Sequence, residues 1–369
     1  MAAPWYTVNG INEIDSPALL IYKGRVQHNI DLAIKLVGDP LKLRPHVKTH
    51  KSPQATMMMI QAGITKFKCA TIAEAEMLAQ CGAADVLLAY QPTGPKIGRL
   101  LALIQQYPAT SFSCLVDSMD AVRVIAKETA HVDLTVNIFV DVNIGMNRTG
   151  VTLQDAPALF SCCRELRGIN VLGIHGYDGH INDSDELIRK QRADDAYNKL
   201  AVVRDVLQAT RMVQPVLIIS GSPTFGIHAK RKDVECSPGT FVYWDKSYQD
   251  MFPDLEFLPA ALVISRVVSV VNKTTICLDL GHKSIASENL LNRRVYFLNA
   301  GDLVPVSHSE EHLVMETVTP HHYHVGDIFY GMPYHVCPTC ALYDTAYVIE
   351  NGQVKEEWKM IARNRKILI

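Results

Sequence analysis

One pattern governs most of the sequence. A short apolar run of strand type is followed by ten or so residues with apolar side chains at helical spacing, and this unit recurs along the first two thirds of the chain. Residues 16–22, 66–70, 85–90, 111–116, 134–140, 171–175 and 216–219 read as strands, and the run ending at Lys48 as another. Between them, 23–36 carries Val26, Ile30, Leu32, Ala33 and Leu36 on a helical period. Ser52-Pro53 opens a helix, with Pro53 suited to the first turn. Thr71 can cap the next. Further helices are expected over 95–107, from Ser118, from Thr152 and over 183–207. Strand–helix repetition of this kind predicts a parallel sheet with covered faces, and the 134–140 run is apolar enough for that apart from Asn137. About eight strands favour a closed (β/α)8 barrel of TIM type over an open, doubly wound sheet.

After about residue 245 the texture changes. The runs 263–271, 274–280, 294–298, 303–306, 313–318, 327–330 and 346–350 are short and β-type, with Gly and Asn-Gly breaks and weak helix signals. They predict a second, mostly antiparallel β domain. The 369 residues suffice for two domains. A net charge of −2 with no basic tail argues against nucleic acid and membrane lipid as partners. The start lacks a cationic segment followed by an apolar core, so no signal peptide is expected, and no run approaches membrane-spanning length. Nine scattered cysteines, among them Cys69, Cys114 and Cys277 in largely apolar runs, fit reduced thiols of a cytoplasmic protein.

The stretch 41–51, Leu-Lys-Leu-Arg-Pro-His-Val-Lys-Thr-His-Lys, ends in a crowd of cations: Arg44, His46, Lys48, His50 and Lys51. On a strand Arg44, His46, Lys48 and His50 would share one face. A lysine set among cations has its ammonium form disfavoured, which frees an amine to attack a carbonyl. Taken alone, the cluster is better read as a solvated basic strand end or an anion patch, since charge clusters are usually surface. Arg44-Pro-His-Val-Lys-Thr-His-Lys51, however, resembles the cofactor-lysine motif of the D-threonine aldolase and D-serine dehydratase family. These are pyridoxal-phosphate enzymes related to the N-terminal domain of alanine racemase, and similar segments recur along nearly the whole chain. The resemblance implies that Lys48 carries the cofactor, with His46 beside it and Lys51 a neighbouring cation. It also implies a barrel, here over 16–250, and a β domain of 251–369 that takes in 1–15.

Active sites of such barrels sit at the C-terminal strand ends. The loop Asp141-Val-Asn-Ile-Gly-Met-Asn-Arg-Thr-Gly150 follows one of them. By itself Arg148 is as well an exposed loop arginine; the resemblance places it beside the cofactor ring. In Gly176-Tyr-Asp-Gly-His180 the glycines leave room for the Tyr177 ring to lie against backbone, and in the family this tyrosine borders the cofactor. His180 alone is more often structural than catalytic, and Asp183 stands about where aldolases of the family have a second histidine. Both are candidate catalytic residues. Ser220-Gly-Ser-Pro-Thr224 and Ser237-Pro-Gly-Thr240 are candidate phosphate cups, where small residues let backbone N–H groups and hydroxyls converge on an anion. One such turn is usually only a turn; two at the last two barrel strands match both the common phosphate position and the family pattern. Ser220, Gly221, Ser222, Thr224, Gly239 and Thr240 are therefore assigned to cofactor binding.

Tyr334-His-Val-Cys-Pro-Thr-Cys340 combines imidazole and thiol, a pairing that suits zinc. On an extended segment His335 and Cys337 would share a face. A surface histidine beside buried thiols is the equal alternative from residues alone. The resemblance implies that His335 and Cys337 ligate a divalent metal, zinc or manganese, beside the cofactor, with Cys340 an onlooker. Ser309-Glu-Glu-His312 is a weak site candidate, and Asp279-Leu-Gly-His-Lys-Ser284 reads as structural.

The resemblance thus implies a lyase that acts on a small 3-hydroxy D-amino acid with pyridoxal phosphate and a metal. Aldolase-like cleavage to glycine and an aldehyde leads. Dehydration of D-serine or 3-hydroxy-D-aspartate to a keto acid and ammonia is the alternative, for which a cysteine ligand argues. A racemase or a non-catalytic cofactor carrier would need no metal pair. The family also implies a homodimer.

Overall fold

The computed structural model describes residues 3–209 and 214–369. Met1 and Ala2, at the head of the 1–15 segment, and 210–213, inside the expected barrel, lie outside the described residues. The chain divides into two compact units. The first comprises Met1–Ile30, Thr49–Ala55 and Thr240–Ile361, and the second Asp31–Lys48, Thr56–Gly239 and Ala362–Ile369.

Strand β1 (Ala18–Tyr22) lies in the first unit. In the second unit seven parallel strands follow in chain order: β2 (Lys66–Cys69), β3 (Asp85–Leu88), β4 (Ser111–Val116), β5 (Val136–Val142), β6 (Ile169–Gly176), β7 (Val216–Ile219) and β8 (Glu235–Cys236). Helices Ile72–Gln80, Pro95–Gln106, Met119–Val132, Ala156–Arg164 and Glu186–Ala209 alternate with them. The Thr71 hydroxyl accepts the Glu74 N–H at 3.0 Å, the cap expected there. Asn137, an oddity in an apolar strand, joins a polar ladder across β4, β5 and β6. It donates to Ser111 Oγ at 3.2 Å and accepts from Asn170 Nδ2 at 2.7 Å.

Residues 43–47 close this sheet. Leu43 bridges to Cys236 on one edge and His46 to Lys68 on the other, both parallel. The Arg44 N–H donates to the Cys236 carbonyl at 2.8 Å and the His46 N–H to that of Pro238 at 2.9 Å. On the other side Lys68 N–H donates to Pro45 at 2.8 Å, and Val47 N–H to Lys68 at 2.9 Å. This extended segment is the eighth stave, and the expected (β/α)8 barrel follows. Glu235–Cys236 had no visible strand signal, because two residues are too short to show a period.

The guanidinium of Arg44 is 1% exposed. It pairs with both oxygens of Asp85, at 2.6 and 2.9 Å, and with Glu235 at 2.8 Å. Lys66 also binds Glu235. Arg44 is therefore consumed in a buried ion network and adds nothing to a cationic face around Lys48.

In the first unit β1 pairs antiparallel with β9 (Ala261–Val270). Next come β10 (Thr275–Leu278), β11 (Val295–Phe297), β12 (Val304–His308), β13 (Leu313–Glu316), β14 (Ile328–Pro333), β15 (Thr345–Glu350) and β16 (Gln353–Lys359). The path is β12-β13-β10-β9-β1-β15-β16, with β14 on β9 and β11 on β14, and only the β1–β15 pair is parallel. The mostly antiparallel β domain is thus present. The 16–22 run, expected to lead into the barrel, belongs to this sheet instead. The physical reason is burial: Leu20 and Tyr22 pack with Val8, Ile14, Leu262, Ile264, Tyr330 and Met332 in one apolar cluster. Strand β16 was not expected, since Lys and Glu dominate it and only Trp358 is buried, a composition typical of a protected edge. Among the described residues no helix is long and apolar enough to cross a membrane.

Truncating Arg44 to Ala strands Glu235 and Asp85 beside a hole in the barrel. We expect a loss of about 3–5 kcal/mol in urea-unfolding stability, the usual cost of breaking a buried ion pair.

Candidate active site

The bridged segment ends at His46, and Val47 to His50 form a turn. The shared face predicted for Arg44, His46, Lys48 and His50 therefore does not exist, because strand alternation stops where ladder pairing stops. His46, 8% exposed, uses Nδ1 to accept the Lys48 N–H at 3.2 Å, which places its proton on Nε2 and braces the turn. His50 is fully buried, and its Nδ1 accepts the Ser52 N–H at 3.1 Å. Burial pushes its pKa down to about 3, so it is a neutral ring and not a cation.

The centre of the barrel holds a polar chain in which sequence reasoning assigned no role. Lys68 on β2 is 3% exposed. Its Nζ donates to Ser237 Oγ at 2.7 Å and lies 3.3 Å from His175 Nε2. His175 Nδ1 in turn bonds Asp141 Oδ1 at 2.7 Å, and the Thr149 hydroxyl donates to Asp141 Oδ2 at 2.9 Å. Because the carboxylate can only accept, the neutral His175 carries its proton on Nδ1 and offers Nε2 to Lys68. Burial, and then the nearby Lys48, lower the Lys68 pKa to about 7, with Asp141 and Asp178 opposing. Burial and Lys68 likewise lower that of His175. The sequence did hold a signal, a charged residue at the middle of a strand expected to be buried on both faces.

The first cup is stitched from within. Gly221 N–H donates to Asp178 Oδ1 at 2.8 Å, and Asp178 Oδ2 meets His228 Nε2 at 2.8 Å. The hydroxyls of Ser220 and Thr224 turn to the Gly221 carbonyl, at 2.8 and 3.4 Å. Burial disfavours charge on Asp178, but His228, Thr224 and the Gly221 N–H outweigh it and hold the carboxyl below its usual range. Ser220, Gly221 and Thr224 thus shape the loop. Ser222 Oγ and Gly239 N–H, 3.2 Å apart, bring the ends of β7 and β8 together. The Ser237 hydroxyl donates to the Ser220 carbonyl at 3.3 Å, which ties the Lys68 chain to this cup.

Tyr177 has Lys68 Nζ 5.4 Å and the Arg148 guanidinium 5.2 Å from its ring centroid. The room the glycines were expected to provide is visible. A Cβ on Gly179 would fall 2.3 Å from the Tyr177 ring, and one on Gly221 would touch it at 3.5 Å. The Arg148 loop is organised by Asn143, whose Oδ1 accepts from Gly145 N–H at 3.0 Å and Asn147 N–H at 3.2 Å. His180 lies against Gly145, where a Cβ would sit 2.8 Å from its Nε2, and its buried Nδ1 has no partner among the described residues. Asp183 pairs with Arg192 at 2.7 Å. These two candidate catalytic residues are not hydrogen-bonded to the Lys68 chain.

In the first unit His335 caps the short helix Val336–Cys340. The His-x-Cys pair is therefore not on an extended segment. The helix forms because Asp245, 2% exposed, accepts the Val336 N–H at 3.1 Å as well as that of Tyr248 at 3.0 Å. The two side chains still meet, through the first helical turn. Glu288 holds His335 Nδ1, which leaves Nε2 as the nitrogen able to meet a metal. Cys337 Sγ lies 3.1 Å from Thr49 Oγ1 and 3.6 Å from Thr240 Oγ1. Thr240, assigned to the second cup, thus presents its hydroxyl to this thiol. Cys340 is buried and its pKa pushed well up, by burial first and then by Cys337 and Asp245. Glu310 and Glu311 pair with Lys283 as an exposed charge run, and Asp279 accepts the Arg266 N–H at 2.7 Å, a structural role. Among the described residues no group of three or more His, Cys, Asp or Glu side chains could hold a metal.

The model of the alanine racemase N-terminal domain matches residues 21–247, more than half of the chain. The chain belongs to this family. A second model, of the serine dehydratase domain, matches residues 260–349. The family member D-threonine aldolase of Arthrobacter sp is 24% identical over 360 residues, covering 95% of this chain and 93% of that protein. D-threo-3-hydroxyaspartate dehydratase of Delftia sp. (strain HT23) is 26% identical over 243 residues, 63% of this chain and 62% of that protein. Among solved structures, D-threonine aldolase from Filomicrobium marinum has a TM-score of 0.88 at 24% identity, covering 98% of this chain and 99% of that one.

A Gly179→Ala substitution should force the Tyr177 ring from its seat without touching the barrel core. We expect pyridoxal-phosphate affinity, followed by fluorescence titration, to fall about tenfold, or ~1.4 kcal/mol, with the melting temperature unchanged.

Proposed function

We propose that this chain is a pyridoxal-phosphate-dependent lyase acting on a 3-hydroxy D-amino acid, with aldolase-like cleavage to glycine and an aldehyde. One observation supports the reading: the buried Lys68–His175–Asp141 chain and the Ser222–Gly239 pair lie toward the C-terminal ends of barrel strands, and Lys48 directly follows the segment that closes the barrel. The cofactor is an aromatic ring bearing an aldehyde and a phosphate. The donor set suits it: a lysine for the aldehyde, hydroxyl and N–H donors for the phosphate, and Tyr177 with Arg148 for the ring. The curated relatives, an aldolase and a dehydratase of 3-hydroxy amino acids, support the same chemistry.

When bound, pyridoxal phosphate supplies an electron sink for the substrate's α-carbon. Lys48 would hold it, and its amine, when not so engaged, would be placed to carry a proton. His46 keeps the Lys48 turn in place by accepting a hydrogen bond from the Lys48 backbone N–H. His180 is our candidate for taking the β-hydroxyl proton, because burial, followed by Arg192, lowers its pKa and leaves an accepting imidazole. His335 and Cys337 would hold zinc or manganese, which supplies Lewis-acid polarisation of a substrate oxygen. Two protein ligands leave positions open, as a catalytic metal requires.

A dehydratase outcome is the second reading. Cysteine as the ligand at position 337 favours it, as does the engagement of Asp183 with Arg192, which removes an aldolase base. The resemblance also supports a homodimer, and the nine free cysteines support a reducing, cytoplasmic setting.

The deciding experiment incubates the purified protein, pyridoxal phosphate and zinc or manganese with D-threonine and, separately, D-serine. Glycine plus acetaldehyde supports the aldolase, and keto acid plus ammonia the dehydratase. Formation of neither from either substrate sinks the lyase reading. A chelator should abolish turnover and metal restore it. Lys48→Ala should leave no cofactor that borohydride can fix to the protein; a fixed cofactor in that variant would remove Lys48 from its role.

A further inference from the structure

The polar chain Asp141–His175–Lys68–Ser237 is more elaborate than a barrel core needs. Fully buried lysines are rare, and they persist where a charge or an amine is used. Among the described residues Lys68 has no salt-bridge partner. The carboxylates near it, Asp141 and Asp178, are engaged by His175 and His228. Its two hydrogen-bond partners, Ser237 Oγ and His175 Nε2, are both acceptors toward it. As a neutral amine it has a lone pair left over; as an ammonium it has a third N–H left over. Either way one valence remains without a hydrogen-bond partner among the described residues. Ser237 links this amine to the Ser220 carbonyl at the cup, and Lys68 itself lies on the strand that bridges to the Lys48 segment. A molecule tied to Lys48 at one end and to the cup at the other passes over this amine.

We propose that Lys68 is a positioning residue for the ring of the bound cofactor: held by Ser237 and by His175–Asp141, it offers its remaining valence to a ring heteroatom and sets the charge the ring meets. The inference rests on the functional reading above and adds to it a second lysine with a distinct task. The groups that face Lys68 are Arg44 from the closing segment, Lys48 from the turn after it, Asp141 from β5, His175 from β6 and Asp178 from just past β6. Arg148 bears on the chain through His175. The two cations and burial disfavour the ammonium, and the two carboxylates favour it. The sign follows: Lys68 is charged below about pH 7 and neutral above it.

The test uses the full chain loaded with pyridoxal phosphate, followed by absorbance of the bound cofactor from pH 6 to 9. Wild-type protein should show a spectral transition near neutral pH. In Lys68→Met and in Lys68→Arg, which stays charged throughout, that transition should vanish or move by at least one unit, a tenfold change in proton affinity. His175→Asn should move it in the same experiment. A ¹⁵N-lysine NMR titration gives a readout independent of these spectra. The Lys68 Nζ resonance, assigned by its loss in Lys68→Arg, should titrate near pH 7 in apoprotein and shift on loading. Superimposable cofactor spectra in wild type and Lys68→Met, or an Nζ resonance indifferent to cofactor, overturn the inference alone. Wild-type protein that takes up no cofactor overturns the functional reading and this inference together.

Discussion

Four backbone hydrogen bonds, two to each edge of a seven-stranded sheet, turn that sheet into a barrel. Residues 43–47 make them, and they set the register of the strand that carries Lys68 and of the one that leads to Gly239. The segment brings Lys48 to the mouth of the barrel beside β2, which carries Lys68. On its other side it bonds Pro238, next to the Gly239 N–H of the cup. A parallel ladder has a fixed register, so a one-residue slip would turn Arg44 out of its pairing with Asp85 and Glu235. The buried ion network therefore works as a register lock as much as a source of stability. Buried charges are strongly penalised when unpaired, and only one alignment pairs these.

Above that network the barrel interior is polar in a directed way. Asp141 and Asp178, from the ends of β5 and just past β6, each hold a histidine, and each histidine pair orders a different feature. His175 orders the Lys68 amine, and His228 with Asp178 orders the Gly221 turn. The same buried aspartate–histidine arrangement thus orders an amine in one place and a backbone turn in the other. A low-dielectric interior makes such networks strong when every member is satisfied. The one valence of Lys68 without a hydrogen-bond partner among the described residues stands out against that background.

The barrel was legible because a strand–helix period survives in any chain that must cover both faces of a parallel sheet. Asn137, Thr71 and the glycines around Tyr177 could also be understood from residue type. Other features were hidden for identifiable reasons. The 16–22 run looks the same whether it opens a barrel or fills a β sheet, since both bury it on two faces. His50 reads as a cation until burial makes it a neutral ring. His335 and Cys337 meet across a helix start that exists only because Asp245 caps Val336 from 91 positions away.

By itself, then, the sequence determined the kinds of element, their order, and the residue types that chemistry could use. Local periodicity and turn chemistry encode these within a few residues. The tertiary structure decided which cations remain cations, which carboxylates are already engaged, and that Lys68, His175 and Asp141 form one chain. Those are matters of burial and of partners distant along the chain: Lys68 and His175 are 107 positions apart, and Lys68 and Ser237 are 169 apart. Protonation depends on what surrounds a group, and that is fixed only when the barrel closes.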